Sequence, residues 1–304
     1  MKKVIIIFLL SVLVAFLPQQ SNAQPNNQTV FVTTSWLAEH INDPSLVILH
    51  VAPIRRDYER GHILGARFLW YGWMYMSNTE LSAELLPVEQ LDTTLEALGV
   101  SNDSRIILCG IGGNVNQIAR IFVTLDYLGM GDKTSILDGG IDAWKSEGRQ
   151  VTKEISVIKR GTFTPHLKKS VFVDAEFVKS NLNKSNISIV DVRPPNIYSG
   201  ASSAGYSRVG HIPGAVNINS STLVDSTNKV LPLPKLVEMF NAAGVKEGND
   251  VITYCNIGAS ASIGYVVARH LGFNAYLYDG SFEDWSSREE LPIEIPAKPD
   301  SIKK

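Results

Sequence analysis

The chain has 304 residues, 44% of them hydrophobic and 19% charged, the balance of a water-soluble globular protein long enough for two domains. Its 28 basic and 30 acidic residues leave a net charge of −2, which gives no footprint for nucleic acid or anionic lipid and makes a small-molecule partner the expectation.

The first 23 residues carry Lys2 and Lys3, an apolar run from Val4 to Leu17, and small residues at Ser21-Asn22-Ala23. This is the pattern of a cleaved export signal, the alternative being an uncleaved anchor, for which the apolar run is short. The mature chain would then begin near Gln24 in the periplasm or outside the cell, with no membrane attachment after cleavage. Without Lys2 and Lys3 the net charge is −4.

From residue 28 onward the chain reads as two copies of one unit, 28–150 and 169–295, separated by an unpatterned linker at 151–168. The first copy has apolar, strand-like runs at Leu46 to Val51, Arg105 to Cys109 and Ser135 to Leu137. The turn His62-Ile63-Leu64-Gly65-Ala66 and the run Leu137-Asp138-Gly139-Gly140-Ile141-Asp142-Ala143-Trp144 punctuate it. The second copy repeats the strands at Ile187 to Val192, Val251 to Tyr254 and Ala275 to Tyr278. Its counterparts to the two punctuating runs are His211-Ile212-Pro213-Gly214-Ala215 and Tyr278-Asp279-Gly280-Ser281-Phe282-Glu283-Asp284-Trp285. Helical stripes ending in glycine stops occupy Ile118, Phe122, Leu125 and Leu128 before Gly129, and Ile263, Val266, Val267 and Leu271 before Gly272. Strands alternating with helices in this way predict an α/β fold with a parallel sheet flanked by helices in each copy.

The two cysteines, Cys109 and Cys255, each end a strand-like run and look like equivalent positions 146 residues apart. In an exported protein they could pair as a disulfide, but equivalent rather than adjacent positions argue against it. Cys255 is followed by Asn256-Ile257-Gly258-Ala259-Ser260-Ala261, small residues that let backbone N–H groups converge on the sulfur at a helix N-terminus. The expectation is a thiol with a lowered pKa, suited to nucleophilic chemistry at sulfur. Ser260 would either add a hydroxyl hydrogen bond to the sulfur or cap the following helix. A cysteine phosphatase needs an arginine six residues after the nucleophile; position 261 is Ala and position 115 is Val, so phosphoryl chemistry is disfavoured.

The two punctuating motifs, their weaker first-half echoes and the loop after Cys255 together resemble the two-domain rhodaneses, the thiosulfate and 3-mercaptopyruvate sulfurtransferases, over residues 28–295. The resemblance implies two tandem rhodanese-like domains, the first non-catalytic. In the second, Cys255 would take sulfane sulfur from a small anionic donor as a persulfide and pass it to cyanide or a thiol acceptor, without cofactor or metal. A persulfide carrier without efficient turnover of a small donor is the alternative. The resemblance also implies substrate contacts from Asn256, Ile257, Gly258, Ala259 and Ser260. Two departures stand out. Neither the basic pair nor the small polar residues that the family places after the cysteine are present, and the arginine expected four residues after Arg193 of Asp191-Val192-Arg193 is Ile197. Arg193 and Arg208 are the candidate anion contacts in its place, with Arg55 and Arg56 further off. For Arg193 a structural ion pair with a neighbouring acid is the competing role. His62 and His211 read as turn-locking residues rather than general bases, and Cys109 as structural.

Overall fold

The computed structural model describes residues 29–77, 81–112 and 114–295; the expected export signal at residues 1–23 lies outside the described residues. The first domain contains β1 (Phe31–Val32), α1 (Thr34–His40), β2 (Leu46–Ala52), α2 (Arg55–Glu59), β3 (Arg67–Trp70) and a hairpin of β4 (Tyr75–Met76) and β5 (Glu84–Leu85). It continues with α3 (Val88–Ala97), β6 (Arg105–Gly110), α4 (Val115–Tyr127), β7 (Thr134–Leu137) and α5 (Gly140–Ser146). The second contains β8 (Phe172–Val173), α6 (Ala175–Ser180), β9 (Ile187–Asp191), α7 (Pro195–Tyr198) and β10 (Val216–Asn217). It ends with α8 (Leu233–Ala242), β11 (Asp250–Tyr254), α9 (Ala261–His270), β12 (Ala275–Tyr278) and α10 (Ser281–Ser287).

Each domain holds one five-stranded, all-parallel sheet, in the order β1-β7-β6-β2-β3 and, read from the corresponding edge, β8-β12-β11-β9-β10. The central strands are apolar on both faces because helices cover both; residues 47–52 and 106–110 are buried without a break. In both sheets the strand order reverses between two central strands, β2 and β6 or β9 and β11, and the carboxyl ends there are where an open α/β sheet offers a crevice.

The domains share a core. Helix α4 is buried from Ile118 to Asp126, polar residues included, because its outer face packs on α9 of the second domain instead of facing water. Buried Asp126 accepts from Tyr265 Oη at 2.7 Å, Arg269 Nη1 at 2.7 Å and Lys168 Nζ at 3.1 Å, so the polar groups of this contact are paired across it. Each domain also reaches over the crevice of the other. Ser82, between β4 and β5, donates through its N–H and Oγ to the Glu283 carboxylate. The second domain's 224–230 turn returns the contact, Val230 N–H donating to Asp138 Oδ1 at 2.8 Å.

The segment 151–168 has no helix or extended sheet, yet it is pinned to the first domain. Thr152 pairs with His62, Gly161 N–H donates to Glu96 O and His166 N–H to Leu128 O. No helix among the described residues is long and apolar enough to cross a membrane.

Candidate active site

Strand β11 ends at Tyr254 and delivers Cys255 to the crevice between β9 and β11, where its side chain is 2% exposed. The backbone N–H groups of Ile257, Gly258, Ser260 and Ala261 hydrogen-bond toward its sulfur. Ala261, the first residue of α9, thus joins a cradle that the sequence placed at 256–260. The turn depends on Gly258, which sits at φ +79, where a Cβ would lie 2.6 Å from the Asp279 carbonyl oxygen.

The Asp279-Gly280-Ser281 turn after β12 locks this loop from behind. Ser281 Oγ accepts from Cys255 N–H at 3.1 Å and donates to Tyr278 O at 2.9 Å, while Phe282 N–H and Glu283 N–H donate to the carbonyls of Cys255 and Asn256. A motif that reads as a turn with a packing tryptophan therefore also positions Cys255. Behind Asp279 stands a residue that no motif announced. Arg120, on α4 of the first domain and 0% exposed, donates to both Asp279 oxygens and to Ala83 O, with the Tyr75 and Phe172 rings on either side. The sequence signal available for it was a lone arginine inside an otherwise apolar helical stripe.

The expected lowered thiol pKa is not what this geometry gives. Burial pushes the Cys255 thiol up, and the four amide donors pull it down without fully offsetting the burial. Four backbone donors face this buried sulfur, a geometry that favours negative charge on it.

Ser260 makes no capping bond to α9. Its Oγ lies 3.5 Å from Asn116 Nδ2, a first-domain side chain at the start of α4. Asn116 also lines a cavity of about 300 Å³ on the domain boundary, together with Ser220, Ser221, Asp225, Asn228 and Ile263, so a polar opening with one carboxylate in its wall lies next to the Ser260 end of the loop.

The two candidate anion-binding arginines are engaged elsewhere. Arg193, 2% exposed, is paired with both oxygens of Asp191, donates to Gly210 O and lies over the Phe282 ring at 3.9 Å; only its Nη1 lacks a partner. It ties the end of β9 to the 210 turn, the structural alternative that its sequence context allowed. Arg208 donates to the carbonyls of Arg288 and Leu291, fastening the segment that follows α10. Arg55 pairs with Glu59 on α2. His62 and His211 are turn locks: each ring stacks on a tyrosine, Tyr58 or Tyr198, and bonds that tyrosine's carbonyl oxygen.

Cys109 is not the counterpart of Cys255. It lies inside β6, paired with His50, and packs with Tyr58, Ile63 and Trp144; the second-domain residue in that setting is Tyr254, paired with Asp191 and packed with Ile212 and Trp285. Gly110 occupies the position of Cys255, and a Cβ on Gly140 would stand 2.3 Å from the Gly110 carbonyl oxygen. The loop beyond it is satisfied internally, Gly112 N–H donating to Asp142 Oδ2 at 2.6 Å. Burial pushes the Cys109 thiol up to about 12. Both cysteines are free, so the disulfide reading is set aside.

A rhodanese-like domain profile matches residues 33–147 and again 174–288. Among similar proteins, one from Synechococcus elongatus named "Putative thiosulfate sulfurtransferase" is 32% identical over 87% of this chain and 84% of its own length. The sulfur carrier protein TtuD of Thermus thermophilus is 29% identical over 87% and 96%, and the 3-mercaptopyruvate sulfurtransferase of Escherichia coli K12 is 28% identical over 88% and 98%. Among solved structures, the anaerobic ergothioneine biosynthesis enzyme of Chlorobium limicola superposes with a TM-score of 0.76 at 20% identity, over 88% of this chain and 71% of its own; at that identity the likeness is one of fold.

Proposed function

Because this chain belongs to the rhodanese-like family, with both of its domains built on that fold, we propose that it moves sulfane sulfur from thiosulfate or 3-mercaptopyruvate to cyanide or a thiol acceptor through a persulfide on Cys255. The observation that carries the reading is the convergence of four backbone N–H groups on one buried sulfur at the switch point of the second sheet.

With thiosulfate, the deprotonated Cys255 sulfur attacks the outer sulfur of the donor. The donor S–S bond breaks and its electron pair leaves on sulfite, so the protein keeps Cys–S–S⁻. With 3-mercaptopyruvate the bond that breaks is C–S, and the pair leaves on the pyruvate enolate, which then takes up a proton. In the second half-reaction cyanide or a thiolate attacks the outer sulfur, the persulfide bond breaks, and the pair returns to Cys255. Both half-reactions pass negative charge across the same amides, and fixed donors of this kind contribute roughly 3–4 kcal/mol each where charge develops. Since burial raises the resting thiol, its proton leaves as the donor enters and is taken up by the departing sulfite or by the pyruvate enolate. Asn116, Ser220 and Ser221 of the neighbouring cavity offer hydrogen bonds to the rest of the donor in place of Arg193 and Arg208, while Asp225 in the same wall disfavours a second negative charge there.

A persulfide carrier is the second reading, favoured by the commitment of both arginines to internal carbonyls and carboxylates. Steady-state turnover of thiosulfate and of 3-mercaptopyruvate, with cyanide and thiol acceptors, on wild type and Cys255→Ser separates the two. Turnover lost in Cys255→Ser supports the enzyme; sulfur uptake without turnover supports the carrier. The reading of residues 1–23 as a cleaved signal places this activity outside the cytoplasm, which N-terminal sequencing of the fractionated protein checks.

A further inference from the structure

On the first domain, away from the cysteine crevice, a second cavity of about 380 Å³ opens between edge strand β3, helices α2 and α3 and the 155–158 segment. Its walls are apolar and aromatic, including Tyr58, Phe68, Trp73, Ile155 and Ile158. An adjoining hollow of about 300 Å³ carries Trp70 beside Phe68 and Trp73. Trp70, Trp73 and Ile155 are 39%, 39% and 58% exposed, a cluster of large apolar side chains that water would not select.

Into this apolar setting projects Arg67. Its guanidinium donates to the Leu98 carbonyl and has no acidic partner among the described residues; burial alone acts on it, pushing its pKa down. A half-buried cation whose compensation is a carbonyl contact and no counter-charge has lost hydration that the contact does not fully replace, so an anion brought alongside it is stabilised. Arg55, also in the lining, lies 5.7 Å over the Phe68 ring and is paired with Glu59, leaving Arg67 as the charge without an acidic partner among the described residues.

We propose that this cavity binds a small amphipathic monoanion, an aromatic or short-chain carboxylate or sulfonate, with its charged end on Arg67 and its apolar body between Phe68, Trp73 and Ile158. A concave volume of a few hundred cubic ångströms, mainly apolar with a few polar groups, here Arg67, Thr93, Thr94 and Ser156, is the usual form of a small-ligand site. The site is independent of the Cys255 chemistry. Trp73 is followed within two residues by β4, so a ligand there contacts the root of the hairpin that reaches the second domain.

The test is isothermal titration calorimetry with 1-naphthoate and its neutral analogue 1-naphthalenemethanol. The proposal expects one saturable naphthoate site on the full chain, naphthoate affinity about ten-fold lower in Arg67→Met, and weak binding of the alcohol that is the same in both proteins. Ala97→Trp, at the exposed last residue of α3 that lines the cavity, keeps Arg67 and its Leu98 contact and is expected to abolish binding by filling the space. It decides the question if Arg67→Met fails to fold. Naphthoate that does not saturate one site, binds Arg67→Met as tightly as wild type, survives Ala97→Trp, or is matched by the alcohol overturns the proposal.

Discussion

The position of the Cys255 loop rests on an ion pair between the domains, and Arg120→Met exposes that dependence. Methionine keeps most of the side-chain volume in α4 and removes every donor. Lost are both hydrogen bonds to Asp279 and the one to Ala83 O. What remains is a carboxylate, 15% exposed, with its partner gone. Removing one member of a buried pair costs about 3–5 kcal/mol, mainly from the orphaned charge, and the residual exposure of Asp279 sets the expectation near the lower end, about 3 kcal/mol. If the orphaned carboxylate is the source of the cost, Arg120→Met with Asp279→Asn recovers much of it, so the two substitutions are far from additive. Urea denaturation followed by tryptophan fluorescence measures both proteins. A loss below about 1 kcal/mol for Arg120→Met, or a double variant whose loss equals the sum of the singles, refutes the reasoning.

Other expectations concern the loop and its titrating neighbours. Gly258→Ala forces a Cβ to within 2.6 Å of the Asp279 carbonyl at a left-handed φ, so sulfur loading of Cys255 falls by at least about ten-fold as the amide cradle opens, and a rate within two-fold of wild type contradicts this. Because burial raises the Cys255 thiol, its modification by iodoacetamide continues to climb above about pH 8.5; a plateau below pH 8 contradicts it. Glu84, in the hairpin near Asp279 and Glu283, is raised to about 7 from 4.5 by burial first and by those carboxylates second, with Arg120 opposing. Its folded value is the higher one, so the folded protein holds a proton that the unfolded chain releases, and stability falls as pH rises from about 4.5 to about 7. Glu84→Gln flattens this part of the stability–pH curve and raises the urea midpoint at pH 8; an unchanged curve shows that the hairpin does not feel the charge.

The repeat, the α/β class and the place of Cys255 at a strand end were legible because each depends on local features: apolar runs, glycine stops and a strand that ends in small residues. The equivalence of Cys109 and Cys255 failed for a reason of register. Side chains alternate faces along a strand, so an error of one residue moves a position from crevice to core; Cys109 points among Tyr58 and Trp144 while Gly110 holds the crevice position. The arginines misled in another way. The carbonyls that hold Arg208 lie 80 and more residues along the chain, and Arg120 meets Asp279 across 159 residues, distances at which no spacing rule operates. The thiol pKa was misjudged because the helix terminus and amides can be seen in a sequence, whereas the burial that outweighs them comes from packing Cys255 beneath both domains' core residues. The edge strands β1, β3, β8 and β10 carry two to four residues each, too short to show a period.

Sulfur carried on Cys255 is the claim on which the functional reading stands, and peptide mass mapping after incubation with thiosulfate or 3-mercaptopyruvate, without acceptor, tests it most directly. The account predicts a gain of about 32 Da, one added sulfur, on the peptide containing Cys255, none on that containing Cys109, and its removal by cyanide. An unmodified Cys255 with either donor, or the added mass on Cys109, contradicts it.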